Sequence, residues 1–142
     1  MLAFILLQLI PVAVGAFLLF CVGKSIAKCS GTARCLAVSI IVSVLALALA
    51  EGSLLLIGNL SSQALQNSVA FGLLLWSSYG VPNLLVSWFG LRCGYADEAG
   101  VHLSAVKSLL FAIVFVIVQS ATAFGATLIW VIDFMTFTMH FC

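Results

Sequence analysis

Apolar residues in this chain come in unbroken runs, not in the alternating or one-faced patterns of a soluble fold. Four runs stand out: Leu2 to Val22, Cys35 to Gly58, Val69 to Gly90 and Ser108 to Phe134. Each is near the length of about 20 residues that carries a helix across roughly 30 Å of hydrocarbon. In lipid the backbone must satisfy its own hydrogen bonds within the segment, and runs this long without alternation do not suit barrel strands. The pattern predicts an all-α polytopic membrane protein: four transmembrane helices in a small bundle forming one membrane domain over residues 1–142, with assembly into a homo-oligomer. The first run lacks a preceding basic region and is too long for a signal-peptide core, so it is read as a retained helix.

The polar residues between the runs set the orientation. Lys24, Lys28 and Arg34 lie between the first two runs, and Arg92 and Lys107 between the last two, whereas Asn59 to Ser68 carries no charge. Basic residues in short loops stay on the cytoplasmic side. Both basic connections are therefore expected inside, with the two termini on the non-cytoplasmic face of what we read as a bacterial inner (plasma) membrane. The second of them also holds Asp97 and Glu98, with Gly94 and Gly100 as turn punctuation.

Composition sharpens this picture. Of the 142 residues, 65% are hydrophobic and 6% charged, and the mean hydropathy is +1.35. An ordinary soluble domain is about one quarter charged, so water is the wrong solvent for this surface and a lipid bilayer is the expected one. A net charge of +1 supplies no footprint for nucleic acid, which is excluded as a partner.

Polar residues inside the runs are the candidates for chemistry or assembly. Glu51 is an ionisable side chain within the second run, and such a group costs at least about 2.5 kcal/mol on insertion scales unless it is paired or hydrated. Together with Asn83 and Gln119 it forms a possible intramembrane polar or ion site. Ser39, Ser43, Ala46, Ala50 and Ser53 recur at spacings of four and three, which aligns them as a seam of small side chains for close helix contact. The last run repeats the spacing with Gln119, Ala123, Ala126, Trp130 and Asp133; of these Asp133 is expected to be hydrated near the outer end. Trp130, Phe134 and Phe137 suit an interfacial aromatic belt, and Met135 to Cys142 an amphipathic tail on the outer surface. Pro82, within the polar stretch Trp76 to Asn83, and Pro11 each remove a helical hydrogen bond and predict kinks.

Cys29, Cys35 and Cys93 fall near His102 in the basic connections, but their spacing is not the paired one of compact zinc sites, and no metal or cofactor is assigned. Asn59-Leu60-Ser61 matches a glycosylation acceptor on the predicted outer side. The chain contains no nucleophile elbow, phosphate loop or dinucleotide fingerprint, so a non-enzymatic role is expected. The leading expectation is a homo-oligomeric membrane subunit that anchors or signals to a cytoplasmic protein partner through Lys24, Lys28, Arg34, Arg92 and Lys107, as the membrane component of a bacterial defence-type assembly would. One alternative is a small ion channel or ion-coupled transporter with a polar path involving Glu51. Another is an accessory subunit of a larger membrane complex.

Overall fold

The computed structural model describes residues 2–60, 68–95 and 100–141. Among these residues there are four helices: α1 (Leu2–Ser25), α2 (Thr32–Leu60), α3 (Ser68–Gly94) and α4 (Ala105–Phe141). Three of them, through Ile5–Ser25, Thr32–Leu56 and Ala105–Met139, are long and apolar enough to cross a membrane. α3 is 27 residues long.

The helices extend past the apolar runs at nearly every end. Lys24 occupies the last turn of α1, Arg34 the first turn of α2, Arg92 the last turn of α3 and Lys107 the first turn of α4. Of the five basic residues only Lys28 belongs to a connection. Long basic side chains reach outward from a helix end without interrupting it, so the change to polar residues did not mark where the helix stops. The expected separate tail after Phe134 is instead a continuation of α4 through Phe141. No proline or glycine follows Gly125 to break it, and the hydroxyls of Thr136 and Thr138 fold back onto the carbonyls of Ile132 and Phe134. α1 and α3 run helically through Pro11 and Pro82.

Neighbouring helices pack antiparallel in the cyclic order α1, α2, α3, α4, with contacts between diagonal pairs sparse. The register is visible in close pairs. Gly15 and Gly23 of α1 face Ser43 and Cys35 of α2, while Gly90 and Gly94 of α3 face Val42 and Val38. Each of these glycines sits where a neighbouring side chain occupies the space a Cβ would need, which lets the backbones approach closely.

Polar and small side chains share the interior with apolar ones such as Leu19, Leu91 and Phe115, while large apolar side chains cover the exterior. Buried positions include Ser39, Ser43, Asn83, Ser87, Ser108 and Gln119 beside Ala46, Ala50, Ala112, Ala123 and Ala126. The exposed surface carries Phe17, Leu55, Leu56, Val106, Ile117, Phe124 and Phe137, each more than half exposed. Such an exterior is stable only against an apolar solvent, and it is compatible with contact to a lipid bilayer.

Candidate functional site at the basic end of the bundle

Between α1 and α2 the chain turns within six residues. The Ile26 and Ala27 amides donate to the Val22 carbonyl, and the Cys29 amide returns to Gly23 at 2.9 Å. Lys28 takes a left-handed backbone at φ 50°, and Gly31, at φ 74°, accepts the first helical bond of α2 from Cys35. The reversal exposes the Lys28 side chain. The Lys24 ammonium is used locally, donating to the Cys29 carbonyl at 3.4 Å.

The connection from α3 to α4 is fixed by side chains. Tyr95, fully buried, reaches α2 with its hydroxyl 2.5 Å from Ser39 Oγ. Since Ser39 spends its own proton on the Cys35 carbonyl, the phenol is the donor. The Tyr95 ring lies directly against Gly23. His102 Nδ1 lies 3.2 Å from the Tyr95 carbonyl; a carbonyl only accepts, so Nδ1 carries the proton. Ser104 caps α4, its hydroxyl accepting from the Lys107 amide at 3.4 Å. Trp88 Nε1 donates to the Ala105 carbonyl at 3.2 Å, and the Arg92 guanidinium stands over the Trp88 ring, 5.9 Å from its centroid.

These anchors bring the two basic connections together. One open cavity of about 200 Å³ is lined by Lys28 from the first connection and by His102, Ser104 and Lys107 from the second. A larger one, about 430 Å³, shares His102 and Ser104 and adds Arg92 and Cys93. Arg34 is exposed on the first turn of α2. The acidic pair Asp97 and Glu98 lies outside the described residues, as does Ser61 of the glycosylation triplet.

Burial pushes the Tyr95 phenol up to about 12 from its usual 10.0. A raised folded pKa means that the neutral phenol stabilises the fold fully below pH 10, and that this contribution disappears as pH rises from 10 to 12. The phenolate absorbance that Tyr95→Phe removes is therefore expected to develop close to pH 12. Development near pH 10 would place the hydroxyl in water instead.

In the bundle interior, Gln119 of α4 reaches diagonally to α2, its Nε2 lying 3.1 Å from both the carbonyl and the hydroxyl of Ser43. Ser43 Oγ in turn donates to the Val12 carbonyl of α1 at 2.9 Å. Three helices thus meet at one polar knot beside Pro11. Asn83 of α3 instead accepts from Ser87, and Glu51, half-buried, lies within electrostatic range of Tyr79. The hydrogen bonds of Gln119 and Asn83 therefore run to different partners. Gln119 Oε1 and Asn83 Nδ2 are buried without a hydrogen-bond partner.

The seam residues Ser39, Ser43, Ala46 and Ala50 are buried, Ser53 is half-buried, and Ala123 and Ala126 are buried on α4. Asp133 is exposed, and Trp130 stacks on Phe134 with centroids 5.6 Å apart. Among the described residues no three His, Cys, Asp or Glu side chains are grouped to hold a metal. Residues that the sequence pattern did not single out include Gly15, Gly23, Tyr95 and Ser104. Only the two glycines left a signal: they fall with Pro11 and Leu19 on a four-residue repeat.

No family model, no curated protein and no solved structure matches this chain.

Proposed function

We propose that this chain is a non-enzymatic subunit of a membrane assembly that docks a cytoplasmic protein partner on its basic end. Four spans, with α3 as the fourth, place both termini outside and both basic connections inside. The observation that carries the reading is the convergence of those connections: Lys28 and Lys107 line one cavity, Arg92 lines the adjoining one, and Arg34 flanks them on α2. Cations that sit apart in sequence thereby form a single surface, the arrangement that steers an acidic partner and fixes its register.

Homo-oligomerisation belongs to the same proposal. Gly52, exposed on α2, and Gly80, half-buried on α3, have open space where a Cβ would stand, which permits close approach of another helix. A bacterial inner membrane and a defence-type assembly, in which a membrane component signals to a cytoplasmic effector, suit this arrangement.

The test is co-purification from native membranes in mild detergent. Reversing the charges of Lys28, Arg34 and Arg92 to Glu is expected to release a soluble partner while leaving oligomer mass unchanged. Absence of any partner from the parent protein would overturn the reading.

A further inference from the structure

The cavity beneath Lys28 has features that a protein-docking surface alone does not need. Its polar side combines two cations, Lys28 and Lys107, with Ser104 at the head of α4. The first two amides of that helix, Ala105 and Val106, precede its first backbone bond, which runs from Ser108 to Ser104. They point toward the side where an anion is favoured. The carboxylates among the described residues, Glu51 and Asp133, lie toward the opposite end of the bundle, while Asp97 and Glu98 of the second connection lie outside the described residues.

The other side of the cavity is apolar. Ile26 and Val101 line it and are exposed. Directly beyond it on α4 run Val106, Leu110, Ile113 and Ile117, all exposed and spaced four, three and four residues apart. This is a continuous apolar strip leading from a cationic cup into the region that faces the membrane. A free phosphate would use only the cup, whereas an anionic lipid uses both parts: its phosphodiester between the lysines and its acyl chain along the strip. Basic pockets at the cytoplasmic ends of helices recognise lipids in this way.

We propose that the cavity lined by Lys28, Ser104 and Lys107 binds the phosphodiester headgroup of an anionic lipid from the adjacent leaflet. The site rests on the membrane reading and not on the protein partner; a lipid seated there occupies Lys28 and Lys107 of the proposed docking surface and leaves Arg34 and Arg92 to a protein.

The test uses purified full-length chain in mild detergent, with no partner present, and native mass spectrometry. Phosphatidylglycerol is expected to be retained at least tenfold more than phosphatidylcholine of the same acyl chains. Combining Lys28→Asn, which tolerates the left-handed backbone, with Lys107→Gln should reduce retention to the phosphatidylcholine level, and Arg34→Gln should leave it unchanged. Both lysines are exposed, so the fold survives their loss; the single Lys107→Gln variant, expected to lose severalfold, gives a second reading. Equal retention of the two lipids, undiminished retention in the lysine variants, or displacement by inorganic phosphate would each overturn the proposal, the last by showing a soluble-anion site. A short acidic peptide that displaces the lipid from the parent protein would overturn it in favour of a protein ligand.

Discussion

Gly15→Ala is expected to destabilise the bundle by about 2 kcal/mol, an unusual outcome for a substitution that ordinarily favours helix. The new methyl carbon would fall 2.7 Å from Ser43 Oγ, 2.8 Å from Phe115 Cε2 and 3.1 Å from Gln119 Nε2. None of these atoms is free to withdraw. Ser43 is held by Val12 and Gln119, Phe115 is fully buried, and Gln119 would have to give up its bonds to α2. Overpacking of this kind costs roughly 1–3 kcal/mol, against about 0.5–1 kcal/mol gained from replacing a helical glycine. Gly52→Ala is the matched control, because nothing lies within 4 Å of its added carbon. It should be neutral or slightly stabilising. Reversible unfolding in mixed micelles of the two variants decides the matter, and equal stabilities would mean that α1 does not approach α2 and α4 at Gly15.

The second large effect is predicted at the contact of α2 with α3. A carbon added at Gly90 would meet Val42 Cγ2 at 2.4 Å and Cγ1 at 2.8 Å. Val42 is β-branched and stiff in a helix, so the clash is relieved only by separating the helices. Gly90→Ala alone should lose roughly 2 kcal/mol. Val42→Ala removes the obstructing methyl groups, and the double variant is expected to be more stable than the sum of the two losses allows, with a coupling of about 1 kcal/mol or more. Additive losses in that cycle would show that the two positions do not touch.

These two contacts also show where reading the sequence succeeds and where it stops. The helices were legible because apolar runs of this length have few alternatives in lipid. Their ends were not, since Lys24, Arg34, Arg92 and Lys107 continue the helix they were expected to terminate. The interior was legible in kind: spacings of four and three placed Ser39, Ser43, Ala46 and Ala50 on one face, and that face is buried. Which residues meet across helices was not legible. The bond from Gln119 to Ser43, and from Tyr95 to Ser39, depends on the rotation and height of two helices at once, and neither quantity leaves a trace in a single run of residues. Gly15 and Gly23 could have been noticed from their shared face with Pro11, but their partners could not.

The basic end follows the same division. Charge counting gathers Lys28, Arg92 and Lys107 on one side of the membrane, yet nothing in their spacing says that Lys28 and Lys107 line the same cavity. That depends on the tight reversal after α1 and on the Tyr95 and Trp88 anchors, which draw the second connection over the first. Hydroxyls elsewhere in the bundle mostly return to their own helix, as Ser53, Thr122 and Thr127 do. Side chains that cross to another helix, such as Ser43 and Gln119, are the ones that define its geometry.

Docking of a cytoplasmic partner requires the basic end to be the cytoplasmic one. Labelling of intact cells with a membrane-impermeant maleimide tests this directly, comparing Cys93, exposed at the basic end, with a cysteine introduced as Ser61→Cys in a background where the other cysteines are replaced. Reaction at position 61 in intact cells, with Cys93 modified only after lysis, is the predicted result. Reaction of Cys93 from outside while position 61 stays protected would invert the protein in the membrane and put the proposed docking surface on the wrong side for a cytoplasmic partner.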